Sequence, residues 1–209
     1  MPRRLRHLLL SCLLAAVAPL HAQVTDNAEL AALYDADQKA RTDGAEIDWA
    51  VVAEEDATRR ARVLALMRDG ALRSAEDHFR AAMVFQHGGT LADYRIAHAL
   101  ATLAATLDPE RANYRWLVAA SWDRMMTAQL QPQWYGTQFQ SSETGLFLYP
   151  VADGAVDDAE RTRMGVPSLA QSQARVGEMA ASIGQAARPQ PPTIEQLRQE
   201  QRAGETDAP

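Results

Sequence analysis

Charged and amide side chains recur in this chain where helical periodicity would place apolar ones. The stretch 111–130 reads as a helix. At about 100° per residue, Tyr114, Leu117, Val118, Ser121 and Met125 share one face, and Asp123 stands opposite with Trp116, Ala119, Ala120, Thr127 and Leu130. A helix apolar on both faces is a buried one. Asp123 is therefore expected to be a buried carboxylate, which must find a partner or give up its charge. The same reading puts Asp37, Arg41, Asp56, Arg60 and Gln86 on apolar stripes. Asp37 with Arg41, and Asp56 with Arg60, have the spacing at which helical side chains meet, so two ion pairs within helices are expected. His87 follows Gln86 directly and precedes two glycines, which sets an imidazole at a helix end where the dipole favours its charged form.

Three kinds of function suit these residues. In the first, Asp37, Arg41, Gln86, Arg124, Tyr135 and Gln138 surround a small polar ligand, with amides and arginine giving directional hydrogen bonds. In the second, a metal-independent enzyme uses His87 and Asp123 as acid and base, while Arg124 and Gln138 hold an anion or a carbonyl. In the third, the cluster is a closed structural network and the outer surface of a helical scaffold binds a protein partner. His78 and His98 read as core or capping residues. The chain has no His-Glu-x-x-His, no Asp-rich calcium loop, no P-loop, no dinucleotide fingerprint and no Gly-x-Ser-x-Gly elbow. No metal and no cofactor is expected.

Composition narrows the setting. Arg3, Arg4 and Arg6 precede an apolar run from Leu8 to Leu20, and Leu20-His21-Ala22 has the form of a cleavage site. This is the pattern of a secretory signal peptide, so the protein is expected in the periplasm or outside the cell. The run is too short to span a membrane, and no transmembrane segment is expected elsewhere. Cleavage after Ala22 leaves 187 of the 209 residues and takes the net charge from −6 to −9. An acidic chain with no basic run is a poor nucleic-acid binder. Cys12 is the only cysteine and falls within the leader, so the mature chain must rely on packing rather than disulfides.

The elements that must position these residues are mostly helical. Helices are expected over 27–41 with Asp26 as N-cap, 48–69 from Asp48, 74–86, 91–107 capped by Thr90, and 110–130. Gly70 can close the second in a left-handed turn. The texture then changes: Gln133–Gln140 and Leu146–Val151 are rich in aromatic and branched residues around a turn-like Ser141–Gly145, which predicts a β-hairpin. Strand alternation would send Gln133, Tyr135 and Thr137 to one face and Trp134, Gly136 and Gln138 to the other. Helices resume over 157–164 and 168–183. The expected architecture is mainly α: one helical domain over 23–187, of about five to seven helices, with a single hairpin after the fifth. Residues 188–209, rich in Pro, Gln and Glu, are expected to form a disordered tail. The helical pairs also have a tetratricopeptide flavour, but no period near 34 residues repeats.

Asp37-Gln38, Arg41, Asp56, Gln86-His87-Gly88, Asp123-Arg124 and Gln133-x-Tyr135-Gly136-Thr137-Gln138 occur in an order that resembles an uncharacterised bacterial family, a domain of unknown function marked by Tyr-Gly-Thr-Gln. Pro150 and Asp158-x-x-Arg161-x-x-x-Gly165-Val166-Pro167 resemble that family's ending. The likeness runs from about Leu33 to Leu169. It implies a shared polar site and supplies no substrate, cofactor or catalytic role.

The leader reading has a direct check. Mass spectrometry of exported protein should find Gln23, or a residue close to it, at the N-terminus; retention of Met1 would refute cleavage.

Overall fold

The computed structural model of the chain describes residues 24–42 and 47–206. The leader expected over 1–22 lies outside them. The described residues form helices α1 (Ala28–Lys39), α2 (Trp49–Arg68), α3 (Ala75–Gln86), α4 (Leu91–Leu107), α5 (Ala112–Thr127), α6 (Asp158–Arg163), α7 (Leu169–Ser182) and α8 (Ile194–Thr206). Strands β1 (Phe139–Ser142) and β2 (Gly145–Leu148) make one antiparallel hairpin between α5 and α6. The mainly α fold with one hairpin after the fifth helix is therefore present. No helix among the described residues is long and apolar enough to cross a membrane.

Capping side chains start the helices where the sequence places them. Asp48 accepts from the N–H groups of Ala50 and Val51. Ser74 with Asp77, Thr90 with Asp93, and Ser168 with Gln171 form reciprocal capping boxes. The first helix differs from expectation: Asn27, not Asp26, is its cap, accepting from Leu30 N at 2.9 Å. A tertiary contact decides between them. Asn27 donates its own N–H to Asp77 Oδ1 at 2.8 Å, while Asp26 turns to Arg80 at 3.4 Å. Asp77, fully buried, also accepts from the backbone of Arg73 and Ser74, and so ties the start of α1 to the first turn of α3. Burial pushes its carboxyl pKa up, but these donors outweigh burial and hold it below the ordinary value.

The main core is built from the facing stripes of α1–α5: Leu30, Val63, Leu66, Phe79, Phe85, Leu100 and Leu117, with Tyr114 closing one end. Ala81, Ala82, Ala97, Ala101 and Ala104 are wholly buried and let α3 and α4 pack closely. Tyr114 donates to Glu76 at 2.5 Å, and burial together with that carboxylate drives its phenol pKa well up. The buried stripe on α2 carries Asp56, as expected, but Arg59 in place of Arg60. Val52, Asp56, Arg59, Val63 and Leu66 are buried, whereas Trp49 is 61% exposed.

Of the disordered tail expected over 188–209, the described residues 188–206 instead take up ordered structure. After α7 the backbone lies alongside β2: Leu146 N donates to Ala186 O at 2.9 Å, and Arg188 N to Leu146 O at 2.8 Å. Gly145 permits this approach, because a Cβ there would sit 2.3 Å from Ala186 O and its φ is +121°. Helix α8 then lays Leu197 on Phe147 and Tyr149, with Ile194 and Leu130 at the edge. Composition hid this, since the few apolar residues of the segment are spaced to meet one patch. Leu197→Ala should lower the unfolding free energy by about 2 kcal/mol, the lower end for a buried leucine, in urea denaturation. An unchanged midpoint would show that α8 contributes nothing to the fold.

Candidate functional site

Asp123 is fully buried on α5, as its helical position requires, yet no cation pairs with it among the described residues. Its partners come from the segment that follows the helix. Oδ1 accepts from the N–H of Trp134 at 2.8 Å and of Tyr135 at 3.0 Å; Oδ2 accepts from the N–H of Thr137 at 3.0 Å and from its hydroxyl at 2.8 Å. Burial raises the Asp123 pKa, and the N–H groups of Tyr135, Thr137 and Trp134 work against that rise. The backbone curls around the carboxylate and cannot extend. Gly136, at φ +81°, supplies the left-handed residue that the curl needs. This overturns the first part, 133–138, of the strand expected over Gln133–Gln140: β1 begins only at Phe139, and strand alternation does not hold before it.

Arg161 grips the other side of the same loop. It is 4% exposed, and it donates to the carbonyls of Tyr135 and Trp134, both at 3.1 Å, as well as to Val156 O and Asp158. Gln133, wholly buried, acts as a side-chain substitute for strand pairing. Its amide donates to Gln138 O at 3.0 Å and Tyr149 O at 2.7 Å, and its Oε1 accepts from Gln138 N at 2.8 Å.

The loop delivers Gln138 to Arg124. Arg124 Nε donates to Gln138 Oε1 at 3.0 Å, and Nη1 donates to Gln86 O at 3.3 Å. The guanidinium lies over the Tyr94 ring, 5.7 Å from its centroid, and the Tyr94 hydroxyl is tied to Gly88 O at 2.8 Å. Arg124 forms no ion pair with a carboxylate among the described residues. It lines a cleft of about 430 Å³ together with Tyr94, Thr127, Ala128, Gln138, Phe139, Gln140 and Tyr149. Tyr149 is 2% exposed, and among the described residues its hydroxyl has no partner; Gln86 Oε1 is likewise buried and unpaired among them.

A second network starts from the same C-terminal end of α3. His87 caps that helix and points Nδ1 at Asp37, 2.8 Å from Oδ2 and 3.1 Å from Oδ1. Arg41 bonds Asp37 at 3.2 Å, as the spacing predicted, and also pairs with Asp56. Arg59 completes the pair at 2.6 Å from Asp56. Burial acts to raise the Asp56 pKa, and Arg41 and Arg59 overcome it and bring it below the usual value. The expected Asp56–Arg60 pair does not form; Arg60 faces Asp93 at 3.6 Å. Helical rotation explains this, because the buried stripe of α2 carries Arg59 rather than Arg60.

The structure thus splits the expected cluster. Gln86, Arg124 and Gln138 come together, and Asp37, Arg41 and His87 form a neighbouring network joined to the first only through the Gln86–His87 peptide. Tyr135 leaves both: it packs against Ala119, Met164 and Val166. Burial, and then the nearby charges of Glu160 and Asp123, raise its phenol pKa. His87 and Asp123 do not form an acid–base couple, because the imidazole belongs to Asp37 and both oxygens of Asp123 are taken up by the loop. Sequence reasoning missed Tyr94, Tyr149, Arg59 and Asp77. Arg161 was visible only as part of the family-like ending, where its spacing from Asp158 carries the signal. Among the described residues, no three His, Cys, Asp or Glu side chains converge in a way that could hold a metal ion.

Asp123→Asn would turn an NH₂ group toward backbone donors. Hydrogen bonds to a charged group contribute about 1.5–3 kcal/mol each, so unfolding free energy should fall by about 3 kcal/mol in urea. A loss under about 1 kcal/mol, typical of exposed pairs, would show that something else holds the loop. Compared with known proteins, the chain matches no family model, no curated protein and no solved structure.

Proposed function

We propose that this is an exported protein that binds a small polar ligand carrying an anionic group, and that Arg124 holds that group. The observation that carries this reading is a half-buried guanidinium on the wall of a cleft, with no carboxylate to balance it among the described residues. A charge drawn partly out of water favours an opposite charge beside it. Gln138, Gln86 and Tyr94 hold the guanidinium in place before any ligand arrives, which reduces the ordering cost of binding. Export follows from the Arg3–Ala22 pattern, and kinship with the bacterial family marked by Tyr-Gly-Thr-Gln belongs to the same reading. The motif itself acquires a physical role. Its Tyr, Gly and Thr wrap Asp123, and its Gln braces Arg124.

A panel of small mono- and dianions, screened at low salt by thermal unfolding, tests the proposal. A ligand present at about a hundred times its Kd stabilises by about 2.7 kcal/mol, which gives a clear rise in Tm. At least one anion should produce that rise in the wild type and a much smaller one in Arg124→Gln. Equal shifts in both proteins, or none in either, would refute the role of Arg124.

A further inference from the structure

The hairpin has two edges, and the protein covers one of them itself. Leu146 of β2 donates its N–H to Ala186 O at 2.9 Å, and its carbonyl accepts from Arg188 N at 2.8 Å. We propose that the other edge, that of β1, takes up an extended peptide of a partner protein, antiparallel to β1, in which apolar and acidic residues alternate. The backbone pairing goes beyond the small-ligand reading; the acidic residue alone rests on it, through Arg124.

The bonds of Leu146 fix which backbone groups of β1 face outward. In an antiparallel pair, opposite residues either exchange both hydrogen bonds or turn both groups away from each other. Leu146 spends its groups on the 186–188 segment, so Ser141, which stands opposite, turns its N–H and C=O away from β2. Phe139, two residues back and opposite Leu148, has the same phase. Tyr149 N agrees with this, since it donates to Gln138 O at 3.0 Å in the alternate phase. Among the described residues, the outward backbone groups of Phe139 and Ser141 have no partner. Ser141 is exposed. Sheet edges are commonly guarded by charged side chains or proline, and Phe-Gln-Ser-Ser has neither.

Side chains of an added strand would alternate between the two faces of the hairpin. On the face of Gln138 and Gln140 lies the cleft of Arg124. The face of Phe139 and Leu148 turns to α7, where Leu148 shares a cavity wall with Val176. A second cleft of about 210 Å³ opens there, lined by Phe139 with Trp116, Val166, Pro167, Met179 and Arg175. An apolar residue opposite Phe139 would enter this second cleft, and an acidic residue opposite Gln140 would meet Arg124. Neither Arg124 nor Arg175 pairs with a carboxylate among the described residues. In a chain of net charge −6, two such arginines on either side of one strand favour an acidic occupant.

Calorimetric titration of the purified protein with a blocked hexapeptide that alternates valine and glutamate tests this. Antiparallel pairing sets the valines opposite Phe139 and Ser141, with their N–H groups on β1, and turns the glutamate N–H groups to solvent. N-methylation of the valines should therefore weaken binding by at least about tenfold, and N-methylation of the glutamates by less than about twofold. Ser141→Pro removes an outward N–H, a change that a sheet edge tolerates, and should weaken the parent peptide by about tenfold. The methylated peptides test the same pairing on the wild type. A valine–glutamine hexapeptide should bind about tenfold more weakly than the parent. No binding of the parent, or equal loss from both methylated peptides, overturns the proposal; the Arg124 reading stands if a small anion still stabilises the wild type over Arg124→Gln. Equal binding of the glutamate and glutamine peptides overturns the acidic preference. Self-association of the protein alone, abolished by Ser141→Pro, would make a second copy the occupant and overturn the partner peptide.

Discussion

One carboxylate inside α5 shapes everything that follows that helix. Backbone N–H groups must be satisfied when they are buried, and a chain leaving a helix next to a hairpin would ordinarily satisfy them by joining the sheet. Here Asp123 collects three of them and one hydroxyl, and the chain bends around it. The cost of burying the ion is met by donors and by Arg161, a cation that never touches it. The peptide between Trp134 and Tyr135 lies between the two charges, its N–H on Asp123 and its C=O on Arg161. The peptide dipole is thereby aligned along the field between anion and cation. Removing either charge would leave the other buried against the wrong end of that dipole.

The cleft is a consequence of this bend. Had Gln133–Gln138 continued as a strand, Gln138 would have alternated with its neighbours along a pleated surface. In the curled loop its amide instead reaches back across α5 to Ala120 and its Oε1 faces Arg124. Gln133 keeps the hairpin base together without a strand by imitating a backbone group on both sides, which holds the Tyr149 backbone in place. Two walls of the cleft, Gln138 and Tyr149, are therefore positioned by side-chain hydrogen bonds to the backbone. Such bonds set geometry more sharply than apolar contact does, because they fail steeply with distance and angle.

What the sequence disclosed depended on whether the information was local. Caps and breakers are local, so α2 and α4 were legible to within a residue or two from Asp48, Gly70 and Thr90. The burial of Asp123 was legible from periodicity alone. Its partners were not, because aromatic and branched residues in 133–138 carry strand propensity, and a buried carboxylate elsewhere in the chain overrode it. Asn27 took the cap from Asp26 for a similar reason, since Asp77 lies fifty residues away. On α2 the error was rotational: the spacing of four from Asp56 leads to Arg60, whereas the buried stripe leads to Arg59. Tyr94 and Tyr149 escaped notice because nothing in their own neighbourhoods sets them apart from core aromatics.

The dipeptide Asp123-Arg124 shows how adjacent residues come to separate work. Successive helical side chains diverge by about 100°, so the anion turns into the body of the protein while the cation turns to the cleft. Elsewhere in this protein opposite charges neutralise each other on the spot: Asp37 with Arg41, and Asp56 with Arg41 and Arg59. Those networks lock α1 to α2 and leave no charge to offer. Asp123 and Arg124 are too divergent to pair, so the carboxylate finds neutral backbone donors and the guanidinium finds a carbonyl, an amide and a ring. Neutral partners hold a charge in place without cancelling it. An arginine braced in this way keeps its field directed into the cleft, where an anion can complete it.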